Sequence, residues 1–283
     1  MIKNCRVSKD KLIPFLNLGK QPIANGFLIN KDKIKKEYFY NLRVGFSKKS
    51  KMVQLLQVPK KEKMFNKNYA FFSSTSKHMD IHFEKFSKQI KKFVKFKKIK
   101  SPLIVEIGSN DGIMLKRFKN LDHVGVEPSS NVANVCRYKE KCNVLNEFFS
   151  KLTVKKITKN YNRKVDVFYS ANVLCHIEDI KSVFLNIYNS ISDKGIFVFE
   201  DPYMGDVIKK NSYDQIYDEH VYLFSIISIE NICKRYNLEI VDCEKLLTHG
   251  GSIRYHIART GEYLVSEKVS KIKDEEIQLG LDK

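Results

Sequence analysis

Tryptophan is absent from the 283 residues, proline occurs six times, and no apolar run approaches the about 20 residues that cross a bilayer. The opening stretch MIKNCRVSKDKLIPFLNLG has no continuous apolar centre, so no secretory signal is expected. Arginine is scarce as well: 43 of the 51 basic residues are lysine and eight are arginine. Specific phosphate and base recognition leans on the planar arginine fork. The net charge of +19, spread over lysines amid many asparagines and isoleucines, therefore reads as compositional bias and argues against nucleic acid as a partner. Six cysteines (Cys5, Cys136, Cys142, Cys175, Cys233 and Cys243) form no CxxC pair. They are expected to be reduced and mostly buried, which points to a cytoplasmic protein.

What remains is a globular composition, 43% hydrophobic and 12% aromatic, long enough for one large domain and a smaller one. Residues 1–65 are polar and lysine-rich with short apolar runs, and read as a small β-containing module. Residues 66–101 are a connector whose HMDIHFEKFSKQIKKFVKFKKIK places Ile81, Phe86, Ile90, Phe93 and Phe96 near helical spacing, with a solvated lysine face. From 102 to 261 strands and helices alternate. LIVEIG, HVGVEP, CNVLNEFF, KVDVFYSANVLCHI and GIFVFEDPY read as strands, with DGIMLKRFKN, NVANVCRYKEK, KLTVKKITKNY and DIKSVFLNIYNSI as helices. LEIVDCEKLL and SIRYHIART, joined by THGG, read as an antiparallel hairpin. The fold class expected is α/β, a parallel sheet closed by that hairpin. Residues 262–283 are a helical tail.

Two local patterns suggest a ligand. The first strand ends in VEIGSNDG, where Gly108 and Gly112 permit close backbone approach. The spacing is not that of a dinucleotide fingerprint, and the Lys-Ser/Thr of a phosphate loop is missing. The second strand ends at Glu127, whose two carboxylate oxygens suit a vicinal diol such as a ribose offers. Elsewhere DQIYDEHVYLFS sets Tyr217, Asp218, Glu219 and His220 side by side. Four such residues in a row cannot all reach water from a regular element, so the fold either satisfies them internally or uses them.

VEIGSNDGIML, VGVEPSSNVA, ANVLCHI, FVFEDPY, DQIYDEHVYLFS and HGGSIRY, in this order, resemble the deoxysugar C-methyltransferases, a family of class I S-adenosylmethionine-dependent methyltransferases with a Rossmann-like sheet. The resemblance covers residues 1 to about 260. It implies S-adenosyl-L-methionine as cofactor and S-adenosyl-L-homocysteine as product. Gly108, Asn110 and Asp111 would surround the methionine moiety, Glu127 the ribose, and Glu147 and Phe148 the adenine, with Glu106, Gly112 and Asn172 also binding the cofactor. It implies a nucleotide-linked keto-sugar or saccharide as substrate. His220 would be the base, Glu219 its orienting partner, Tyr217 the donor to the enolate oxygen, and His176 a further substrate-side histidine. Upstream, NYAFFSSTSKHMDIH resembles a family segment that delivers a tyrosine to the site, and Tyr69 is the tyrosine it contains. His249 is expected to brace the hairpin.

Two departures stand out. The family's N-terminal module binds zinc through two CxxC pairs, whereas here Cys5 is followed by Ser8, and Ser47 and Ser50 fill the second pair. A hydroxyl is a poor zinc ligand beside a thiolate, so no zinc is expected and no metal residues are assigned. The chain also stops soon after the hairpin, where relatives carry a further domain, so the sugar is less secure than the methyl donor. Three alternatives stay open: an O- or N-methyltransferase of a saccharide or small metabolite in surface polysaccharide synthesis, an RNA methyltransferase, and an inactive binding scaffold.

Overall fold

The computed structural model describes residues 2–28 and 36–283. In chain order its elements are β1 (Ile13–Pro22), β2 (Phe39–Phe46), β3 (Val53–Leu55), α1 (Lys61–Met64) and α2 (Lys77–Phe96). Then come β4 (Leu103–Ile107), β5 (Asp122–Val126), α3 (Ser130–Asn134), β6 (Val144–Leu145), α4 (Lys151–Tyr161), β7 (Val165–Ala171) and α5 (Ile180–Ser190). The remainder is β8 (Ile191–Pro202), α6 (Met204–Lys210), β9 (Tyr222–Leu223), α7 (Ile226–Cys233), β10 (Leu238–Leu246), β11 (Ser252–Arg259) and α8 (Glu267–Gln278).

The larger sheet has seven strands in the order β10-β11-β8-β7-β4-β5-β6. β4 pairs in parallel with β5 and with β7, and β5 with β6. β10 and β11 form the expected antiparallel hairpin. All five residues of β4 are buried, as a central parallel strand covered on both faces requires. A smaller sheet, β1-β2-β3-β9, is antiparallel where its register is defined. Its fourth strand comes from Tyr222–Leu223, two residues past His220, a long-range pairing that the sequence pattern did not announce. The mixed α/β fold with an N-terminal antiparallel module is thus the one expected.

Several local expectations are corrected. DGIMLKRFKN is not an α-helix: turns lead to a single 3-10 turn at Leu115–Phe118. Gly112 at φ +82° and Asn110 at φ +48° keep the chain out of helical geometry there. The strand expected over CNVLNEFF shrinks to two residues. The buried face of α2 is Met79, Phe83, Phe86, Ile90 and Val94, not the face running through Ile81 and Phe96, which are 46% and 77% exposed. The 79-83-86-90-94 series keeps steps of three and four, whereas 81 to 86 is a step of five and leaves the stripe.

The described residues fall into two compact units. The first comprises Met1–Met64, Asn172–Phe184 and Phe199–Lys283; the second comprises Phe65–Ala171 and Leu185–Val198. In the second, Tyr169 packs edge-on against Phe86 and tilted against Phe118, with ring centroids 6.1 and 5.5 Å away. In the first, Phe199 stacks on Tyr255 at 4.6 Å and meets Phe184 and Phe224 edge-on. The C-terminal α8 belongs to this core. Its fully buried Glu276 accepts hydrogen bonds from the Ile226 and Ile227 N–H groups at 2.7 and 3.0 Å, capping α7. Among the described residues no helix is long and apolar enough to cross a membrane.

Candidate active site

The second unit contains the glycine turn. Gly108, at φ +74°, ends β4 and donates to the Val126 carbonyl at 2.8 Å, which ties the turn to the end of β5. Just past that point, Glu127 accepts the Ser129 N–H at 2.8 Å on one oxygen and the Asn110 N–H at 3.0 Å on the other. Each oxygen keeps acceptor capacity, as binding two hydroxyls of a diol requires. Burial raises the Glu127 pKa, against the opposing effect of those two N–H groups. Gly112 has a different reason to be glycine. A Cβ there would come within 2.7 Å of the Cys136 sulfur, so the residue serves internal packing.

A segment ahead of α2 lies on this turn. Asn110 accepts the Ser73 N–H at 3.1 Å and donates to the Phe71 carbonyl at 3.1 Å. Asp111 accepts the Ser74 N–H at 2.9 Å on Oδ2. Its Oδ1 is buried without a hydrogen-bond partner, as is Oδ1 of Asn131, whose amide donates to the Tyr69 carbonyl at 2.8 Å. Two orphaned buried acceptors beside a diol-ready carboxylate fit a ligand carrying both an ammonium and a ribose. The sequence reading expected this upstream segment to bring Tyr69 to the site, but not that its backbone would bond Asn110, Asp111 and Asn131.

Three other assignments are placed as follows. Glu106 is buried on β4 and accepts the Tyr169 O–H at 2.7 Å, and burial holds it well above the usual carboxylate range. Glu147 is ion-paired with Lys156 and accepts the Thr153 hydroxyl at 3.2 Å. Half-buried Phe148 receives the same hydroxyl on its carbonyl, at 2.9 Å.

The first unit gathers the polar cluster. His220 Nδ1 lies 2.7 Å from the Gln215 carbonyl, which fixes the proton on Nδ1 and makes Nε2 the atom that accepts one. Its ring is 4.3 Å from that of Tyr217 and stacks on His176 at 5.3 Å. Burial pushes His220 down to about 4, and burial together with the neighbouring His220 and His249 holds His176 well below 6.5. Both histidines are therefore neutral at neutral pH. Burial, then the charge of Glu219, pushes the Tyr217 hydroxyl up, so it stays a donor. Glu219 and Asp218 are 1% and 0% exposed. Glu219 accepts the Asn25 amide at 2.7 Å and Asp218 the Ala24 N–H at 3.0 Å.

Three residues missed by the sequence reading join this cluster. Asn25 has no local motif to mark it, being 194 residues from its partner. Asp201 ends the FVFED run; burial raises it to about 8 against the opposing Cys175 thiol, and neither oxygen has an aligned hydrogen bond. Cys175 is itself fully buried, its thiol pushed up by burial and by Asp201. Cys175, His176 and His220 bring possible ligand atoms within 4.8 Å of one another. His249, at φ +51° in the hairpin turn, lies close enough to depress both histidines, beyond the bracing expected of it. Asn172, at φ +56°, belongs to this unit and donates its N–H to the Glu200 backbone carbonyl at 2.7 Å. Tyr69 belongs to the other.

Comparison with known proteins agrees with this fold. Residues 78–242, 165 of the 283, match the family described as a methyltransferase domain, and the chain belongs to that family. Residues 5–65 match a family described as a putative zinc binding domain. The C-methyltransferase NovU of Streptomyces niveus is 25% identical over 99% of this chain, and the chain spans 66% of that relative's length. An S-adenosylmethionine-dependent methyltransferase from Clostridium acetobutylicum superposes with a TM-score of 0.50 at 14% identity, over 63% of this chain and 92% of its own. The plantazolicin methyltransferase BpumL, solved with a pentazolic desmethylPZN analog and SAH, gives a TM-score of 0.50 at 14% identity, over 66% and 89%. These likenesses establish a Rossmann-like methyltransferase fold.

Proposed function

We propose that this chain is an S-adenosylmethionine-dependent C-methyltransferase acting next to the ketone of a nucleotide-linked keto-sugar. The observation that carries the reading is the quartet of buried Glu219 and His220 with half-buried Tyr217 and His176, both histidines being neutral. A carbon beside a ketone loses its proton only to a positioned base, and the resulting oxyanion needs a donor. His220 Nε2 takes the proton while Gln215 holds Nδ1–H in place. The electron pair moves to the ketone oxygen, which the Tyr217 hydroxyl holds, and the carbon then takes the methyl group. When bound, S-adenosylmethionine supplies that methyl as an electrophile. Glu127 would accept the ribose hydroxyls, and Asp111 and Asn131 would accept from the ammonium. NovU, named as a C-methyltransferase, supports carbon as the target.

Two measurements test this. Calorimetric titration of S-adenosylhomocysteine into the protein should give micromolar binding, weakened at least tenfold by Glu127→Ala; absence of binding by the wild type would remove the enzyme reading. Incubation of a nucleotide-linked 4-keto-6-deoxysugar in D2O should give exchange at the carbon beside the ketone, lost in His220→Gln. Binding of the donor with no exchange would favour an O- or N-methyltransferase, in which His220 deprotonates a hydroxyl instead.

A further inference from the structure

Far along the chain from the histidines, but in the same unit, two short turns repeat each other. In one, Cys5 is followed by Ser8 and by Lys9 at φ +64°; in the other, Ser47 is followed by Ser50 and by Lys51 at φ +55°. In each, the backbone N–H of the fourth residue points at the side chain of the first. Ser8 N–H lies 3.5 Å from Cys5 Sγ, and Ser50 N–H lies 3.1 Å from Ser47 Oγ. The turns face one another. Cys5 Sγ is 3.2 Å from Ser50 Oγ, Ser50 Oγ donates to Ser47 Oγ at 2.8 Å, and Ser47 Oγ is 3.0 Å from Ser8 Oγ.

These four positions lie within the segment that matches a putative zinc binding domain. The donor set does not fit zinc. One thiol and three hydroxyls replace the sulfur and nitrogen ligands that the ion prefers. The spacing is that of direct hydrogen bonds as well. Zinc bonds of about 2.0–2.3 Å in a tetrahedron put neighbouring ligand atoms roughly 3.3–3.8 Å apart. All three separations here are shorter, so the side chains have closed over the volume an ion would fill.

We propose that this closed hydrogen-bond knot takes the place of a structural metal and joins the two turns of the N-terminal module without an ion. Its protons run to a defined end. Ser50 donates to Ser47, Ser47 donates to Asp10 Oδ1 at 2.8 Å, and Ser8 donates to the same oxygen. Lys49 N–H reaches the other Asp10 oxygen at 3.3 Å. Slight burial works against the ionised form, yet the Ser8 and Ser47 hydroxyls hold Asp10 below the usual carboxylate range. On the sulfur side, Cys5 accepts the Val7 N–H at 3.3 Å and the Gln54 amide at 3.1 Å. Gln54 in turn accepts the Arg6 N–H at 3.2 Å. Cys5, Ser47 and Ser50 are all 0% exposed, so the knot must satisfy its polar atoms internally, and it does.

The test is metal analysis of the full chain expressed with excess zinc, with thermal melts in the presence and absence of EDTA. Substoichiometric zinc and an unchanged Tm are expected, while Ser47→Ala lowers the Tm by several degrees and leaves S-adenosylhomocysteine binding intact. One zinc per chain whose removal by chelator lowers the Tm would overturn the proposal. A triple variant, S8C/S47C/S50C, should bind one equivalent of Co2+ with thiolate charge-transfer absorption. A folded triple variant that binds none would show that the turns do not stand where a metal's ligands would.

Discussion

Two buried polar clusters in one unit, the Cys5–Ser50 knot and the Tyr217–His220 quartet, spend their hydrogen bonds differently. In the knot every hydroxyl proton has an acceptor within the cluster, and the chain ends on an ionised carboxylate. In the quartet the anchors come from outside: the Gln215 carbonyl on His220 and the Asn25 amide on Glu219. His220 within it is held at about 4, and Asp201 in the surrounding cluster at about 8. A cluster that satisfies itself fixes a fold. One that is pinned at its edges while its histidines stay neutral is prepared for proton transfer. The lesson is that burial alone does not distinguish the two; the direction in which the hydrogen bonds leave the cluster does.

The largest expected effect breaks the comparison at His220. His220→Gln keeps a group of similar size but removes the base. General bases contribute about 10²–10⁴-fold, so kcat should fall by roughly that factor while S-adenosylhomocysteine affinity holds. The equivalent change in the knot, Ser47→Ala, should leave kcat unchanged. Because burial keeps His220 unprotonated down to about pH 4, wild-type kcat/KM should stay flat as pH falls through 6.5. A limb at 6.5 would mean that another group is the base.

How much of this was legible beforehand differs between the clusters and follows from sequence distance. Tyr217, Glu219 and His220 are consecutive or nearly so, and an apolar setting around adjacent polar residues is visible in one stretch. The glycine turn and Glu127 could be read because strand ends position them locally. Asn25 and Asp201 were not legible, because Glu219 lies 194 residues from the one and Cys175 a helix and a strand from the other. The helix over DGIMLKRFKN failed because Gly112 is required by contact with Cys136, a tertiary demand that overrides helical periodicity. The α2 face failed because phenylalanine and isoleucine lie all round that helix, and only packing selects the stripe. In the knot, Ser8, Ser47 and Ser50 could be seen to be poor ligands, but not that their hydroxyls would close on each other.

The next effect concerns Asp201 and sharpens the electrostatic side of the comparison. A carboxyl raised to about 8 in the fold and near 3.8 unfolded binds its proton more tightly when folded. Its contribution is complete below the unfolded pKa and is lost as pH rises through about 8. His220 and His256, both lowered to about 4, act oppositely: the unfolded chain takes up their protons first, so stability falls as pH drops from 6.5 toward 4. The histidine trend is confined to pH below about 6.5, which leaves the Asp201 slope visible between about 6.5 and 8. At about 1.4 kcal/mol per pH unit, the wild type should lose roughly 2 kcal/mol relative to Asp201→Asn over that interval. Parallel urea titrations of both proteins at the two pH values measure it, and equal slopes would mean that Asp201 is ionised in the fold.

The smallest effect is the most discriminating, because it touches the cluster through a residue outside its motif. Asn25 donates to Glu219 Oε1 at 2.7 Å, and Glu219 is 1% exposed, so no water readily replaces that donor. If the amide only satisfied a buried oxygen, as the knot's bonds do, Asn25→Ala would cost stability alone, about 1–3 kcal/mol. If it orients Glu219 toward the histidine pair and the substrate, kcat should fall about five- to tenfold, with KM for the methyl donor unchanged. Asn25→Ser, which retains a donor on a shorter arm, should recover part of the loss. A loss in Tm without any change in kcat would move Glu219 from the reacting cluster to the scaffold around it, where its hydrogen bonding would resemble that of Asp10.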